Sequence, residues 1–149
     1  MYKRGFTLLE VLLSIACIAL LAGISAPIYS SFYKKNEVLL TRESVIESLY
    51  RASSYARNME GQGRSWGVYF DEEKITLFEG GSYLTADPES FEEMTYNGDT
   101  IVGPSPSEII FLSKTGYPNF NEGLWSITVS NSLESYIIIV NPFGMISYE

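Results

Sequence analysis

The sequence contains no histidine and only one cysteine among its 149 residues. The chain therefore cannot build a Ser-His-Asp triad, and it lacks the commonest transition-metal ligand. The single thiol, Cys17, cannot form an intramolecular disulfide or a metal site by itself. It lies in an apolar run, where a free cysteine behaves as a small hydrophobic residue. Because no nucleophile motif is present either, we expect a protein that is not an enzyme and uses no cofactor or metal.

Basic residues are scarce in the C-terminal part of the chain. Residues 1–59 contain seven Lys and Arg against four Asp and Glu, whereas residues 60–149 contain three against fourteen. Nucleic-acid binding depends on clusters of Lys and Arg that neutralise phosphates, so we expect no nucleic-acid partner. Lys34 and Lys35 are only two adjacent basic residues, whereas a lipid-recognition cluster has roughly four to eight. We interpret the acidic part as a solubility device.

An uncharged apolar run dominates the N-terminus. Lys3 and Arg4 precede Gly5, and after Glu10 no charged residue occurs over residues 11–28. About 20 helical residues, each rising about 1.5 Å, cross a hydrocarbon core of about 30 Å. The basic start would keep the N-terminus in the cytoplasm. These features favour a single membrane-spanning helix.

Two simpler interpretations of this run leave something unexplained. A secretory signal peptide with a small-residue cleavage site at 24–26 would have a shorter core without an acid at its start. A plain anchor does not account for Glu10, because a lone carboxylate at the start of a membrane-length helix is costly. We therefore expect Glu10 to be functional and to meet a partner charge supplied by another molecule.

The string Lys3-Arg4-Gly5-Phe6-Thr7-Leu8-Leu9-Glu10 resembles the cleavage site of type IV prepilins and type II secretion pseudopilins. The resemblance implies that a prepilin peptidase/N-methyltransferase cuts after Gly5 and methylates the new N-terminal Phe6. The leader, residues 1–5, would carry away the basic Lys3 and Arg4. Glu10 would pair with the N-terminus of a neighbouring subunit and set its register during assembly. The implied partners are other pilin subunits, the peptidase, and the pilus or secretion assembly machinery in the membrane.

Hydrophobic periodicity predicts one long helix over residues 6–59. Its first part, 6–28, is the transmembrane or filament-core helix, and Pro27 is expected to kink or locally melt it. Its second part, 29–59, is amphipathic, and Glu47 and Arg51 are spaced for a favourable i,i+4 pair. The stripe of the second part recurs at steps of four and three and consists of Val38, Arg42, Val45, Leu49, Ala52 and Ala56.

Residues 60–149 are predicted to form an antiparallel β head. Alternating and aromatic-rich segments predict strands at 65–70, 74–78, 108–112, 125–129, 136–140 and 145–148. The first two form a hairpin around Asp71, and Tyr83-Leu84 is predicted to continue at a sheet edge. Residues 86–106 are the least regular part. The predicted fold class is α+β, with a long N-terminal helix packed on an antiparallel sheet, an arrangement that resembles the pilin architecture.

The head is most similar to the H-type minor pseudopilins and related minor pilins. The segments that carry this similarity are 55–57, 66–70, 110–111, Gly116 and 144–146. The resemblance implies a minor pilin of a type IV pilus-like filament, first held in the cytoplasmic membrane with its head outside and then part of an extracellular or periplasmic filament. A pseudopilin of a type II secretion system is the alternative, and a membrane-tethered binding module is a more remote one.

Two further patterns suggest ligand sites. Aromatic residues, Trp66 and Trp125 among them, would suit an adhesive or sugar-binding surface, although strand aromatics usually pack in a core. An acidic run offers carboxylates for calcium, although it has no EF-hand spacing and such runs are usually solvated faces. The carboxylates of this run are Asp87, Glu89, Glu92, Glu93 and Asp99.

Overall fold

The computed structural model describes residues 5–58, 63–71, 73–96, 100–104, 107–120 and 123–149, with the backbone alone at 24–28, 101 and 104. The chain divides into two compact units, Met1–Lys34 and Lys35–Glu149. One helix, α1 (Leu8–Asn58), contributes to both units. Helix α1 is continuous through Pro27, so the local melting expected there is not observed, although proline still lacks the N–H that would donate to the preceding turn.

In the first unit, the described part of α1 is exposed on all sides. Every residue from 8 to 23 is solvent-exposed, including the leucines of the first two turns. Within the described residues, no helix is apolar over enough of its length to cross a membrane.

In the second unit, α1 presents the predicted stripe to the sheets. Val38, Val45, Leu49 and Ala52 are fully buried, as 4–3 spacing on one helix face requires. Arg42, the charged member of the stripe, packs its guanidinium group against aromatic rings on this face. Its guanidinium carbon lies 4.8 Å and 4.6 Å from the ring centroids of two tyrosines of the second sheet, Tyr136 and Tyr148. Such cation–π contacts offset part of the cost of placing a charge on this face.

The head contains two antiparallel four-stranded sheets rather than the single sheet expected. The first sheet has the order β3-β2-β1-β5, and the second has the order β4-β6-β7-β8. The strands of the first sheet are β1 (Trp66–Phe70), β2 (Lys74–Glu79), β3 (Glu92–Thr95) and β5 (Glu108–Phe111). Those of the second are β4 (Ile101–Pro104), β6 (Trp125–Ser130), β7 (Ser135–Val140) and β8 (Ile146–Tyr148).

The predicted hairpin and the predicted strand at 136–140 are confirmed. Strands β1 and β2 pair in register from Trp66 opposite Glu79 to Phe70 opposite Ile75, and β7 lies between β6 and β8. The prediction for Tyr83-Leu84 was wrong, because residues 83–85 form a 3-10 helix, followed by another at 88–90. Strands β3 and β4 were missed. They lie in the segment predicted to be irregular.

Both sheets turn one face toward α1 and form one core. Side chains that alternate along β6, namely Trp125, Ile127 and Val129, join Val68 and Leu77 of the first sheet in this core. Each fully buried aliphatic side chain contributes about 1.5–3 kcal/mol relative to leaving it in water. The fold class predicted from the sequence, α+β with a long helix packed on antiparallel sheets, is therefore confirmed.

A loop of the head closes the end of α1. The backbone N–H of Lys114 donates to the carbonyl of Ala56 (2.9 Å), and the Ser53 hydroxyl donates to the carbonyl of Gly116 (2.8 Å). The last carbonyls of a helix have no partner within the helix, so this loop satisfies one of them. Lys114 adopts φ +70° to do so, a conformation that costs a residue with a Cβ about 1–2 kcal/mol.

Candidate functional site

The N-terminal end of α1 is built around Thr7. The N–H of Glu10 lies 3.3 Å from the Thr7 hydroxyl oxygen and 3.1 Å from the Thr7 carbonyl oxygen, and it can donate to both. The N–H of Val11 donates to the same carbonyl (3.3 Å). Thr7 is therefore the N-cap residue, which satisfies a donor that the first turn leaves free.

Glu10 occupies the third position of the helix, as in a capping box. Thr7 and Glu10 have the spacing S/T-x-x-E that marks this motif, with the acid in the first turn. A carboxylate there also meets the positive end of the helix dipole. The role of Thr7 was not predicted from the sequence, although the capping-box spacing indicates it. Between these two described residues the structure shows the Thr7 half of the motif, in which the N–H of Glu10 donates to the Thr7 hydroxyl. The local contribution of the Glu10 carboxylate is therefore its position at the positive end of the helix dipole.

The predicted cleavage position precedes the first helical residue. Gly5, Phe6 and Thr7 lie outside α1, and all three are exposed. The Phe6 side chain is 84% exposed, and among the described residues no heavy atom beyond the chain neighbours of Gly5 lies within 4 Å of its Cβ position. The peptide bond between Gly5 and Phe6 is therefore not protected by helical hydrogen bonds. The two basic residues of the predicted leader, Lys3 and Arg4, lie outside the described residues.

Glu10 is surrounded by uncovered apolar surface. It is the one charged residue between Leu8 and Tyr33 in the sequence. Its neighbours Leu9, Leu12 and Leu13 are each at least 60% exposed. Contiguous exposed apolar surface marks a site of association with protein or membrane. When such a surface is covered, Glu10 loses water and needs a new partner.

Three of the five carboxylates considered for calcium have other partners in the described structure. Glu92 pairs with Arg51, and Glu93 pairs with Lys74 (2.6 Å). Asp87 accepts the N–H of Glu89 (3.0 Å) at the start of the second 3-10 helix. Asp99 lies outside the described residues, and the described ones contain no group of three or more potential metal ligands.

The pair expected between Glu47 and Arg51 is replaced by the contact between Arg51 and Glu92.

The two tryptophans have packing roles. Trp66 and Trp125 are each 6% exposed and belong to the core, and Trp66 packs edge-on against Tyr55 with ring centroids 4.8 Å apart. Neither ring is available as a sugar-stacking surface. The aromatic hypothesis is therefore wrong for these two residues.

An ion pair ties the start of the head portion of α1 to the second sheet. Lys35 Nζ lies 2.7 Å from Glu134 Oε1, and the Tyr136 hydroxyl donates to Glu134 Oε2 (2.8 Å). The hydrogen bond from Lys35 has the largest effect on the pKa of Glu134, and that from Tyr136 the next largest. Both lower this pKa below its usual value. The same contact raises the pKa of Lys35. Lys35 therefore has a structural partner within the head.

Comparison with protein families gives a match at the N-terminus. Residues 1–26 match the family model described as the prokaryotic N-terminal methylation motif. This motif is the signature of type IV prepilin-like proteins. No curated protein and no solved structure gives a significant match to the chain.

Proposed function

We propose that this chain is a structural subunit, a minor pilin, of a type IV pilus-like filament. In this proposal it is made as a membrane-anchored precursor, cleaved after Gly5 and methylated at Phe6. The observation that carries the proposal is the match of residues 1–26 to the methylation motif. The exposed Gly5–Phe6 bond and the pilin-like α+β fold support it.

Cleavage after Gly5 changes the electrostatics of the helix start. Hydrolysis leaves an ammonium group on Phe6, one residue before the Thr7 cap, so a full positive charge joins the positive end of the helix dipole. Loss of Lys3 and Arg4 also changes the side-chain net charge from −8 to −10. The carboxylate of Glu10, in the first turn, is the nearest negative side chain in the sequence.

Assembly then gives Glu10 a second partner. When apolar helices pack together, the exposed Glu10 loses its water, and an unpaired buried carboxylate costs several kcal/mol. The Phe6 ammonium of a neighbouring subunit offsets that cost when the two helices are staggered so that the charges meet. In this way one ion pair favours a single axial register over others.

The uncharged run of residues 11–28 is proposed as the anchor of the precursor. It would hold the protein in the cytoplasmic membrane, with the acidic head outside, until the subunit enters the filament. The domain boundaries follow as leader 1–5, anchor and filament-core helix 6–28, amphipathic helix 29–59 and head 60–149. A type II secretion pseudopilin is the second candidate, because the methylation motif is shared by pilin and pseudopilin precursors.

A charge-deletion variant tests the role of Glu10. Glu10→Gln keeps the size of the side chain and removes its charge, and we expect normal cleavage but a loss of about tenfold or more in sheared filaments. Glu47→Gln is the matched control, since Glu47 is an exposed acid on the same helix. Thr7→Ala removes the N-cap of α1 and leaves the charge of Glu10. It therefore separates the effect of helix capping from the effect of the charge. Incorporation of Glu10→Gln at the level of Glu47→Gln would contradict the proposed role.

A second variant tests the cleavage position. Gly5→Val adds a β-branched side chain beside the bond to be cut, and we expect the leader to be retained. The mass of the N-terminal peptide is the measurement. Detection of a product that begins at Phe6 from this variant would show that the peptidase does not depend on Gly5.

A further inference from the structure

The side of the first sheet that faces away from the core carries an aromatic slot. Tyr69 of β1 is the cross-strand partner of Thr76 of β2, and Phe78 lies two residues further along β2, so these three side chains point to the same side. Phe91 immediately precedes β3, on the other side of β2. Because neighbouring strands lie about 4.8 Å apart, β1 and β3 leave room for one ring between Tyr69 and Phe91.

The ring of Tyr83 fills this slot. It stacks on Tyr69 with ring centroids 4.0 Å apart and an angle of 3° between the planes, and it stacks on Phe91 at 5.1 Å and 20°. Phe78 meets the same ring edge-on, with centroids 5.7 Å apart. Stacked and edge-to-face arrangements are the preferred geometries of aromatic pairs. The slot is therefore shaped for a planar ring.

The floor of the slot contains a hydroxyl group that the closed structure leaves unused. Thr76 is fully buried, and its Oγ1 has no hydrogen-bond partner among the described residues. An unsatisfied buried polar atom is costly, and native proteins keep few of them. A ring that carries a polar substituent can give this hydroxyl group a partner.

Tyr83 reaches the slot on a segment that is attached to the sheet by few buried groups. We call this segment, residues 81–90, the strap. None of the residues in its two 3-10 helices is buried. Gly80 and Gly81 lie at its start, and consecutive glycines permit a hinge. Hydrogen bonds such as that from the Ser90 N–H to the Asp87 carbonyl (2.9 Å) are internal and would move with the strap. Segments of this kind open locally at low free energy.

One carboxylate clasps the strap to the sheet. Glu108 of β5 accepts the backbone N–H of Tyr83 at Oε2 (2.9 Å) and the Ser82 hydroxyl at Oε1 (3.2 Å). Hydrogen bonds to an ionised acceptor are stronger than neutral ones. The strap therefore docks as a short peptide would, with its aromatic ring in the slot and its backbone on Glu108.

This mode of docking indicates the class of ligand that could replace the strap. An aromatic residue of a polypeptide offers both the ring and the backbone N–H. A nucleotide offers a ring but carries phosphate, and carboxylates lie at both ends of the row that contains Tyr69 and Thr76. These are Glu108, opposite Tyr69, and Glu93, opposite Thr76. The row stays acidic although Lys74 pairs with Glu93, and an acidic site repels phosphate.

We propose that the slot is a binding site for an aromatic side chain of another polypeptide, and that Tyr83 occupies it as an autoinhibitory contact. The ligand binds when the strap opens and Tyr83 leaves the slot. The apparent affinity is therefore reduced in proportion to the fraction of molecules in which the strap is open. All the residues involved belong to the head, so this proposal does not depend on the proposed filament role and is tested separately from it.

Peptide titration of the full-length protein in detergent tests the slot. The probe is acetyl-Gly-Ser-Tyr-Leu-Thr-amide, which copies residues 81–85, and the NMR signals of Thr76 report its binding. We expect Tyr83→Ala to bind the probe at least about tenfold more tightly than wild type, because its strap no longer fills the slot. Leu84→Ala is the matched control, since Leu84 is the next residue and is 91% exposed. We expect it to bind as wild type does.

Two other ligands test the chemistry of the slot. The same peptide with Ala in place of Tyr, and adenosine 5′-monophosphate, should each bind Tyr83→Ala at least about tenfold more weakly than the probe. Thr76→Val keeps the shape of the side chain and removes its hydroxyl group. Added to Tyr83→Ala, it should weaken binding of the probe. Equal affinity of Tyr83→Ala and Leu84→Ala, equal binding of the two peptides, or tighter binding of the nucleotide would overturn the assignment of the slot.

Hydrogen exchange tests the opening of the strap. Glu108→Gln keeps the size of the clasp and removes its charge, so we expect the Tyr83 amide to exchange about tenfold faster while the amides of β1 and β2 are unchanged. Unchanged exchange at Tyr83 would contradict the role of Glu108. Wild-type protein that shows no binding at about a hundredfold the probe concentration that half-saturates Tyr83→Ala would show that Tyr83 is a permanent part of the packing. That result would overturn the autoinhibitory contact.

Discussion

Gly67 in β1 tests how the outer side of the first sheet is packed. A Cβ at this position would lie 2.3 Å from Cζ of Phe78 and 2.7 Å from Cδ1 of Ile110. Because Phe78 is fully buried, its ring cannot move into solvent to make room. Overpacking of this kind costs about 1–3 kcal/mol. We therefore expect Gly67→Ala to lower the free energy of unfolding by that amount.

A double-mutant cycle attributes the loss to the ring. Phe78→Leu removes the Cζ atom that the new methyl would meet, so the two substitutions together should cost at least about 1 kcal/mol less than the sum of the single changes. Gly103→Ala is the control, since Gly103 lies in β4 and no atom of the described part of the chain lies within 4 Å of its Cβ position. There the change reduces backbone entropy in the unfolded chain and should stabilise by about 0.5–1 kcal/mol.

Urea unfolding of the full chain in detergent gives the free energy of unfolding of all four variants, namely the two single changes, the double change and Gly103→Ala. The expected order of unfolding free energy is Gly103→Ala above wild type and Gly67→Ala below it. A Gly67→Ala protein within about 0.5 kcal/mol of wild type, or strict additivity with Phe78→Leu, would refute the packing argument.

Two further predictions concern the rest of the head. Gly116 has φ +65° and its Cβ would lie 2.6 Å from the carbonyl oxygen of Ser53, whereas Gly123 has φ +89° and meets no described atom within 4 Å. Gly116→Ala should therefore lower the free energy of unfolding in urea by about 3–4 kcal/mol, against about 1–2 kcal/mol for Gly123→Ala. Equal losses would contradict the close contact at Gly116. Because the folded pKa of Glu134 is lowered, its contribution to stability is present above the unfolded pKa and is lost as pH falls through the folded pKa. The Tm of wild type should therefore fall more steeply on acidification than that of Glu134→Gln, and parallel curves would contradict this.

The amphipathic part of α1 and the β1–β2 hairpin were predicted correctly, because both show a periodic pattern within a short stretch of sequence. The helix stripe through Val45 and Leu49 was predicted because burial repeats every three or four residues along one face. Strand β3 was not predicted, since Glu92 and Glu93 are poor strand formers and their pairing with β2 is a tertiary effect. The partner of Arg51 was missed for the same reason, because Glu92 lies 41 residues away in the sequence.

The candidate site was accessible from sequence because it is contiguous. Gly5, Phe6 and Glu10 fall within six residues, so their spacing is visible without a fold. The cover of the first sheet could not be predicted in this way. It depends on the sheet register and on the course of residues 80–91, which together stack Tyr83 on Tyr69.

Mass spectrometry of sheared surface filaments and of the membrane fraction tests the central claim most directly. We predict an N-terminal peptide that begins at methylated Phe6 and is present in the filaments at a low ratio to a dominant pilin. A mature Phe6 peptide confined to the membrane fraction would favour the secretion pseudopilus. An intact Met1 terminus in cells with an active prepilin peptidase would contradict the account.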